Sequence, residues 1–321
     1  MAPPPTVQEL TGRRLHLSHG PIDVVLKAWG PQEEVRAAYA AAGRRFPAIL
    51  PELCDELTQL RTPMDQAPCV DGPVARRMLA ACRPFADDFL TPMAAVAGAV
   101  ADELLAHMLG AGRIARAFVN DGGDIAIHMA PGEAMEVGVA GDFEGGGIPA
   151  LNGRLRLDGH TGVGGVATSG ARGRSLSLGI ADSVTVLASC AALADAAATL
   201  IANAVDVASP AIARTPAHAL DPDSDLGDRL VTVGVGALSA AEIGLALDRG
   251  AARALSYRAR GLIVDAALML QGAARTLAPA AAASPGPAGQ PPGSLAAPRP
   301  GRQPDRDSGT SHTRETRRRA P

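Results

Sequence analysis

Asp195, Thr199 and Asn203 are the polar residues inside a run that is otherwise almost all Ala, Leu and Ile, from Ala191 to Val205. Their i, i+4, i+8 spacing sets them in one narrow stripe on a helix. A helix that is apolar on every other side is a buried helix, and a buried carboxylate must be paired, hydrogen-bonded or bound to a metal. Oxygen ligands from Asp195 and Thr199 suit a hard cation such as Mg²⁺. A plainer account also stands: Asp195 complements the helix dipole from the first turns, while Thr199 and Asn203 bond locally.

Two further stretches have chemistry-bearing types. Thr168, Ser169 and Gly170 lie in a glycine-rich loop with Arg172 and Arg174 close behind. Backbone N–H groups and arginines together are what a pyrophosphate needs. Earlier, Asn120, Gly122, Gly123 and Asp124 sit between two apolar runs, Ile114 to Val119 and Ile125 to Met129. As a hairpin turn, the segment uses Asn and Gly for positive φ. As a site, its glycines let a planar ring or ribityl chain approach the backbone. His128 shares a strand face with Asp124 and reads as a hydrogen-bonded strand histidine, whereas His16, His19 and His160 read as turn or surface residues. No nucleophile or general base stands out.

These residues need a frame. The β-branched run from Asp182 to Ser189 predicts a buried strand just before the apolar helix. Upstream, a hairpin is expected from Arg14–Ser18 and Asp23–Trp29, then helices from Pro31 to about Phe46 and from Pro47 to Leu60, a loop from Thr62 to Gly72, and a short helix from Pro73 to Cys82. Thr91 and Pro92 cap a helix to about Leu109. Met135 to Val139 is expected to continue the sheet, Gly141 to Gly153 to be loose, and Arg154 to Leu157 to be a short strand. Ser209 to Asp228 reads as a loop, Leu230 to Val235 as a strand, Ser239 to Glu242 as a capping box opening a helix to about Tyr257, and Gly261 to Leu270 as a last strand. The fold class is α+β, a mostly antiparallel sheet with packed helices. One domain over residues 9–272 lies between a flexible start, 1–8, and a disordered tail, 273–321. That tail holds nine prolines, eight arginines, three acids and no aromatic residue.

The order of these motifs resembles the ApbE-like superfamily, whose best-known members are FAD-dependent protein FMN transferases. That pattern is a hairpin variant of N-x-GGD, then T-S-G, then a strand of the S-V-T-V type, then a helix reading A-D-x-x-x-T. Here it reads Asn120-Asp121-Gly122-Gly123-Asp124, Ala167-Thr168-Ser169-Gly170, Ser183-Val184-Thr185-Val186 and Ala194-Asp195 through Thr199. The version here is closer to a functionally uncharacterised branch than to the transferases. The resemblance implies a tunnelling-fold-type domain, FAD or another flavin nucleotide as ligand, and Mg²⁺ on Asp195 and Thr199. It implies nucleotide-binding roles for Asn120, Gly122, Gly123, Asp124, Thr168, Ser169, Gly170 and Arg174, and a protein acceptor if transfer occurs. One departure matters. Where the transferases begin a helix with Gly-Lys-Gly-Tyr, this chain has Met93-Ala-Ala-Val-Ala-Gly-Ala-Val. A binding or scaffold protein without transfer activity is therefore the alternative.

Composition narrows the field. The 321 residues are 47% hydrophobic but 2% aromatic, so the core must be Ala, Leu, Val and Ile. Lys27 is the sole lysine, which excludes a Walker-type phosphate loop. Cys54, Cys69, Cys82 and Cys190 show no zinc-like spacing. The start has no signal-peptide pattern and no apolar run long enough to span a bilayer is evident, so a cytoplasmic protein with no membrane partner is expected. A tail without aromatics disfavours nucleic acid. Oligomeric state is not legible.

Overall fold

The alternation of apolar and polar residues along the strands builds one antiparallel sheet with two unlike faces. The computed structural model describes residues 3–142, 150–173 and 175–277. At one edge, β1 (Thr6–Leu10), β2 (Arg14–His19) and β3 (Ile22–Trp29) form a meander. Helices α1 (Gln32–Asp55), α2 (Leu57–Leu60), α3 (Pro73–Cys82) and α4 (Val96–Ala111) follow. Next come β4 (Arg116–Asp121), β5 (Asp124–Met129), β6 (Ala134–Asp142), β7 (Ala150–Asp158), β8 (Gly165–Ser169) and β9 (Ser183–Ala188). The chain continues with α5 (Ala191–Ala204), β10 (Ile212–Pro216), α6 (Ala217–Leu220), β11 (Leu230–Val235), α7 (Ala240–Ala259), β12 (Asp265–Leu270) and β13 (Ala273–Thr276).

Among the described residues the main sheet has the order β1-β2-β3-β4-β5-β8-β9-β12-β13, and every neighbouring pair is antiparallel. This is the expected α+β architecture. Helices α1, α4, α5 and α7 cover one face. Ala117, Val119, Ala126, Ala167, Val184 and Val186 point into that main core. Alternate residues Ile127, Val166 and Leu187 point the other way, into a smaller cluster with Val137, Leu157 and Val163 beneath the β6–β7 ribbon.

Several expectations are revised. The two helices expected from Pro31 to Leu60 are mostly one: α1 runs straight through Pro47 and Pro51. An interior proline costs about 3 kcal/mol. Burial of Phe46, Ile49 and Leu53, at about 1.5–3 kcal/mol each, is large enough to offset two of them. Strand β6 does not continue the sheet. The free edge of β5 is taken by β8, with Ile125 opposite Val166, and β6 pairs with β7 as a separate ribbon. Part of the stretch expected to be loose belongs to that ribbon; residues 143–149 lie outside the described residues. The expected loop from Ser209 holds β10 and α6, and β10 pairs with β11. Pro216 is tolerated because it ends a strand of a two-stranded ribbon. Ordered strands begin at Thr6 and extend to Thr276, past both expected domain limits.

Local signals hold elsewhere. Ser239 and Glu242 make the capping box at α7. Thr91 accepts the N–H of Met93 at 3.2 Å, heading a 3₁₀ turn (Pro92–Ala95) that leads into α4. Pro92–Ala111 is long and apolar enough to cross a membrane, contrary to expectation, and half of its most apolar window is buried in this fold.

Candidate functional site

The Gly122–Gly123 turn is the first positioning device. Asp121 lies opposite Asp124 across the β4–β5 hairpin, and the two glycines between them have φ of +64° and +118°. Side chains with a Cβ rarely adopt such angles. Asn120 Oδ1 accepts the Gly123 N–H at 2.8 Å, so its side chain is spent on the turn. Asp124 faces the helices, and its Oδ1 also accepts the Thr168 N–H at 3.2 Å, tying the hairpin to β8. The Thr168 hydroxyl points to the other face, against Thr185 Oγ1 at 2.9 Å.

The second device is the contact of α4 with α5. Asp102, on α4, accepts the Ala191 and Ala192 N–H groups at 3.0 and 2.9 Å, capping α5 from another element. Four residues earlier, Gly98 donates its N–H to Asp195 Oδ2 at 3.1 Å. A Cβ at position 98 would lie 2.6 Å from Ala192 N and overlap the Ala191 carbonyl, so only glycine permits this approach.

A cleft of about 380 Å³ opens here. Asp195, Thr199 and Asn203 line one wall, with Asp124 at the sheet end. Met93, Ala94, Val96 and Ala97 add an apolar wall. Ser175, Leu176 and Leu178 close one side, and Asp221, Asp223 and Asp225 another, with Arg61 nearby. Thr91 Oγ1 hydrogen-bonds Asp225, holding that aspartate loop to the helical side.

Within the stripe the three residues divide their roles. Asn203 Oδ1 accepts the Leu178 N–H at 3.0 Å, so it fixes a loop distant in sequence where the plainer account expected a local bond. Thr199 opens on the cleft. Asp195 is enclosed by protein except where it meets the cleft. Burial drives its pKa well above the ordinary carboxylate value, and Asp124 adds to the rise; the Gly98 N–H opposes it, while Asp121 and Asp102 raise it further. Arg172 does not meet Asp195: it pairs with Asp182 at 2.9 Å. Arg174 lies outside the described residues. Ser169 ends β8, and Gly170 starts the turn that follows, its carbonyl accepting the Gly173 N–H at 3.1 Å; neither borders the cleft directly. The geometry thus brings together Asp124, Asp195 and Thr199 among the candidates. Asn120, Gly122, Gly123 and Thr168 support the frame.

Asp102 and Asp121 were missed in the sequence. Burial raises Asp102 as well, against the Ala192 and Ala191 N–H groups and Arg77. Asp121 is 5% exposed and accepts the Asp23 N–H at 3.4 Å. Its place beside the N-D-G-G-D turn was the available signal. Nothing in the sequence marked Asp102 as a cap for a helix ninety residues away.

The donor set fits a hard divalent cation. Asp195 and Thr199 offer oxygens one helical turn apart, and nearby carboxylates leave a negative field for a cation to neutralise. No group of three or more His, Cys, Asp or Glu residues forms a complete metal cage among the described residues.

Residues 7–276, spanning the sheet and this cleft, match the family model described as AbpE bacteria. The chain belongs to that family. A crystal structure of the ApbE protein from Thermotoga maritima aligns over 86% of this chain and 96% of that one, at 14% identity and a TM-score of 0.45. Curated proteins gave no match. In this AbpE-family chain, the cleft residues Met93, Ala94, Val96 and Ala97 present no charged side chain.

Proposed function

We propose that this protein binds a flavin or closely related nucleotide in the α4–α5 cleft, through Mg²⁺ held by Asp195 and Thr199. One observation carries the reading: Asp195 lines the cleft with Asp124, Asp121 and Asp102 as its acidic neighbours and the Gly98 N–H as its hydrogen-bond donor. Such a carboxylate calls for a cation. A bound Mg²⁺ would supply charge neutralisation and polarisation of a phosphoryl oxygen. The chain's own residues do the positioning. Asp124 ties the hairpin to β8, Asn203 holds the Leu178 loop, and the apolar residues from Met93 to Ala97 offer a surface for a ring system.

Flavin transfer to a protein acceptor, the reaction of the transferases that the sequence resembles, is the enzymatic form of this reading. The uncharged Met93–Ala97 wall favours the second form, binding without transfer.

The test begins with the purified full chain, its visible absorbance and mass spectrometry of any released ligand. Thermal shifts with Mg²⁺ and FAD then compare wild type with Asp195→Asn. The reading expects FAD to raise Tm only when Mg²⁺ is present, and only in wild type. Equal responses in the two proteins would remove Asp195 from the site. No response to any flavin nucleotide in either would remove the function.

A further inference from the structure

The open face of the sheet holds a second concave site, remote from the helix-side cleft. Alternation in β3 and β4 turns Lys27, Trp29, Arg116 and Phe118 away from the helices, with Trp29 opposite Arg116 and Lys27 opposite Phe118. The β6–β7 ribbon rises over the same face and brings Met135, Glu136 and Arg156 to the other side of a groove of about 510 Å³. The chain has one tryptophan, two tyrosines and five phenylalanines. In so aromatic-poor a protein, a half-buried Trp–Phe pair, 6.1 Å between ring centroids, that lines a groove instead of the core asks for an occupant.

The charges say which kind. Lys27 Nζ lies 4.8 Å and the Arg116 guanidinium 5.0 Å from the Trp29 ring centre. Arg116 is held in place, its Nη1 donating to Ala134 O at 2.9 Å and its Nε lying 3.1 Å from Glu133. That Nε has ion-pair distance but not hydrogen-bond geometry, and it is buried without a hydrogen-bond partner. Lys27 and Arg156 have no carboxylate within ion-pair reach among the described residues, although Glu136 faces Arg156 across the ribbon. Among the described residues Arg156 borders the groove without an ion pair and Lys27 stands at its edge over the Trp29 ring, so against the one unpaired carboxylate there, Glu136, the balance beside the aromatic platform is positive. Stacking and cation attraction together select a flat ring bearing negative charge.

We propose that this groove binds a planar aromatic anion of mononucleotide size, its ring against Trp29 and Phe118 and its acidic group on Lys27 and Arg156. The acidic group is a phosphate or a carboxylate, the chemistry common to a nucleotide and an aryl acid. Trp29 is the only tryptophan, so its fluorescence reports this groove alone. The full chain is titrated with adenosine monophosphate, adenosine, inorganic phosphate and naphthoate. The expected result is saturable quenching by the monophosphate or by naphthoate, whichever is tighter naming the source. Adenosine and phosphate should each be at least about tenfold weaker, and Lys27→Gln and Arg156→Gln should each weaken the tighter ligand by about tenfold, a loss of one charge-assisted contact. Asp195→Asn should leave the quenching unchanged, which separates this groove from the nucleotide cleft. Absence of saturable quenching, equal binding of adenosine and the monophosphate, or unchanged affinity in both charge variants overturns the proposal.

Discussion

Gly98 donates its backbone N–H to Asp195 Oδ2 at 3.1 Å, across the contact between α4 and α5. The missing side chain at one position therefore sets the environment of the carboxylate at the other. Gly98→Ala is expected to destabilise the fold by about 1–3 kcal/mol through overpacking, because the new methyl meets backbone rather than a flexible side chain. Chemical denaturation measures the loss. A variant as stable as wild type would mean that the helices separate without cost.

Asp195 also sets a pH dependence. Burial and Asp124 raise its pKa, so the folded chain keeps a proton that the unfolded chain releases near pH 4. Stability from that proton is complete below about pH 4 and is lost as pH rises toward the folded value. Without divalent cation, the Tm of Asp195→Asn should exceed that of wild type by a margin that grows over this rise. Mg²⁺ with nucleotide should narrow it. A margin that is flat with pH would contradict the shift.

Glu103 behaves in the opposite sense. Burial pushes it up, but hydrogen bonds from Arg45 and Arg77, both at 2.9 Å, outweigh that and hold it below the usual Glu range. Its contribution is present above about pH 4.3 and fades as pH falls through the folded pKa. Glu103→Gln leaves Arg45, itself 10% exposed, facing a neutral amide on one side. The expected cost is about 1–2 kcal/mol, because Arg45 keeps its bidentate pair with Glu52 and Arg77 is 40% exposed. Urea unfolding at neutral pH reads it, and the difference from wild type should shrink in acid.

The thiols should divide by environment. Burial, with Asp102 next, pushes Cys190 to about 11, and burial raises Cys82 further. Cys54 and Cys69 are exposed. Alkylation at mildly alkaline pH should label Cys54 and Cys69 first, because only thiolate reacts. Peptide mapping after brief labelling shows the order, and early modification of Cys190 would contradict it.

The sequence by itself determined the elements whose signals are local. The capping box at Ser239 and Glu242, the Thr91 cap, the Asn120–Asp124 hairpin and the polar stripe on α5 were all written in neighbouring residues. Their order along the chain was enough to suggest the family. Tertiary structure decided what depends on partners distant in sequence. It carried α1 through two prolines, because packing against other elements outweighs local propensity. It diverted β6 into its own ribbon, because strand edges are claimed by whichever partner buries more, and β8 claimed that of β5. It gave Asn203 to the Leu178 loop and left Asp195 facing Asp124. Helical spacing places all three stripe residues on one face, but only the elements packed against that face determine which of them remains available to a ligand.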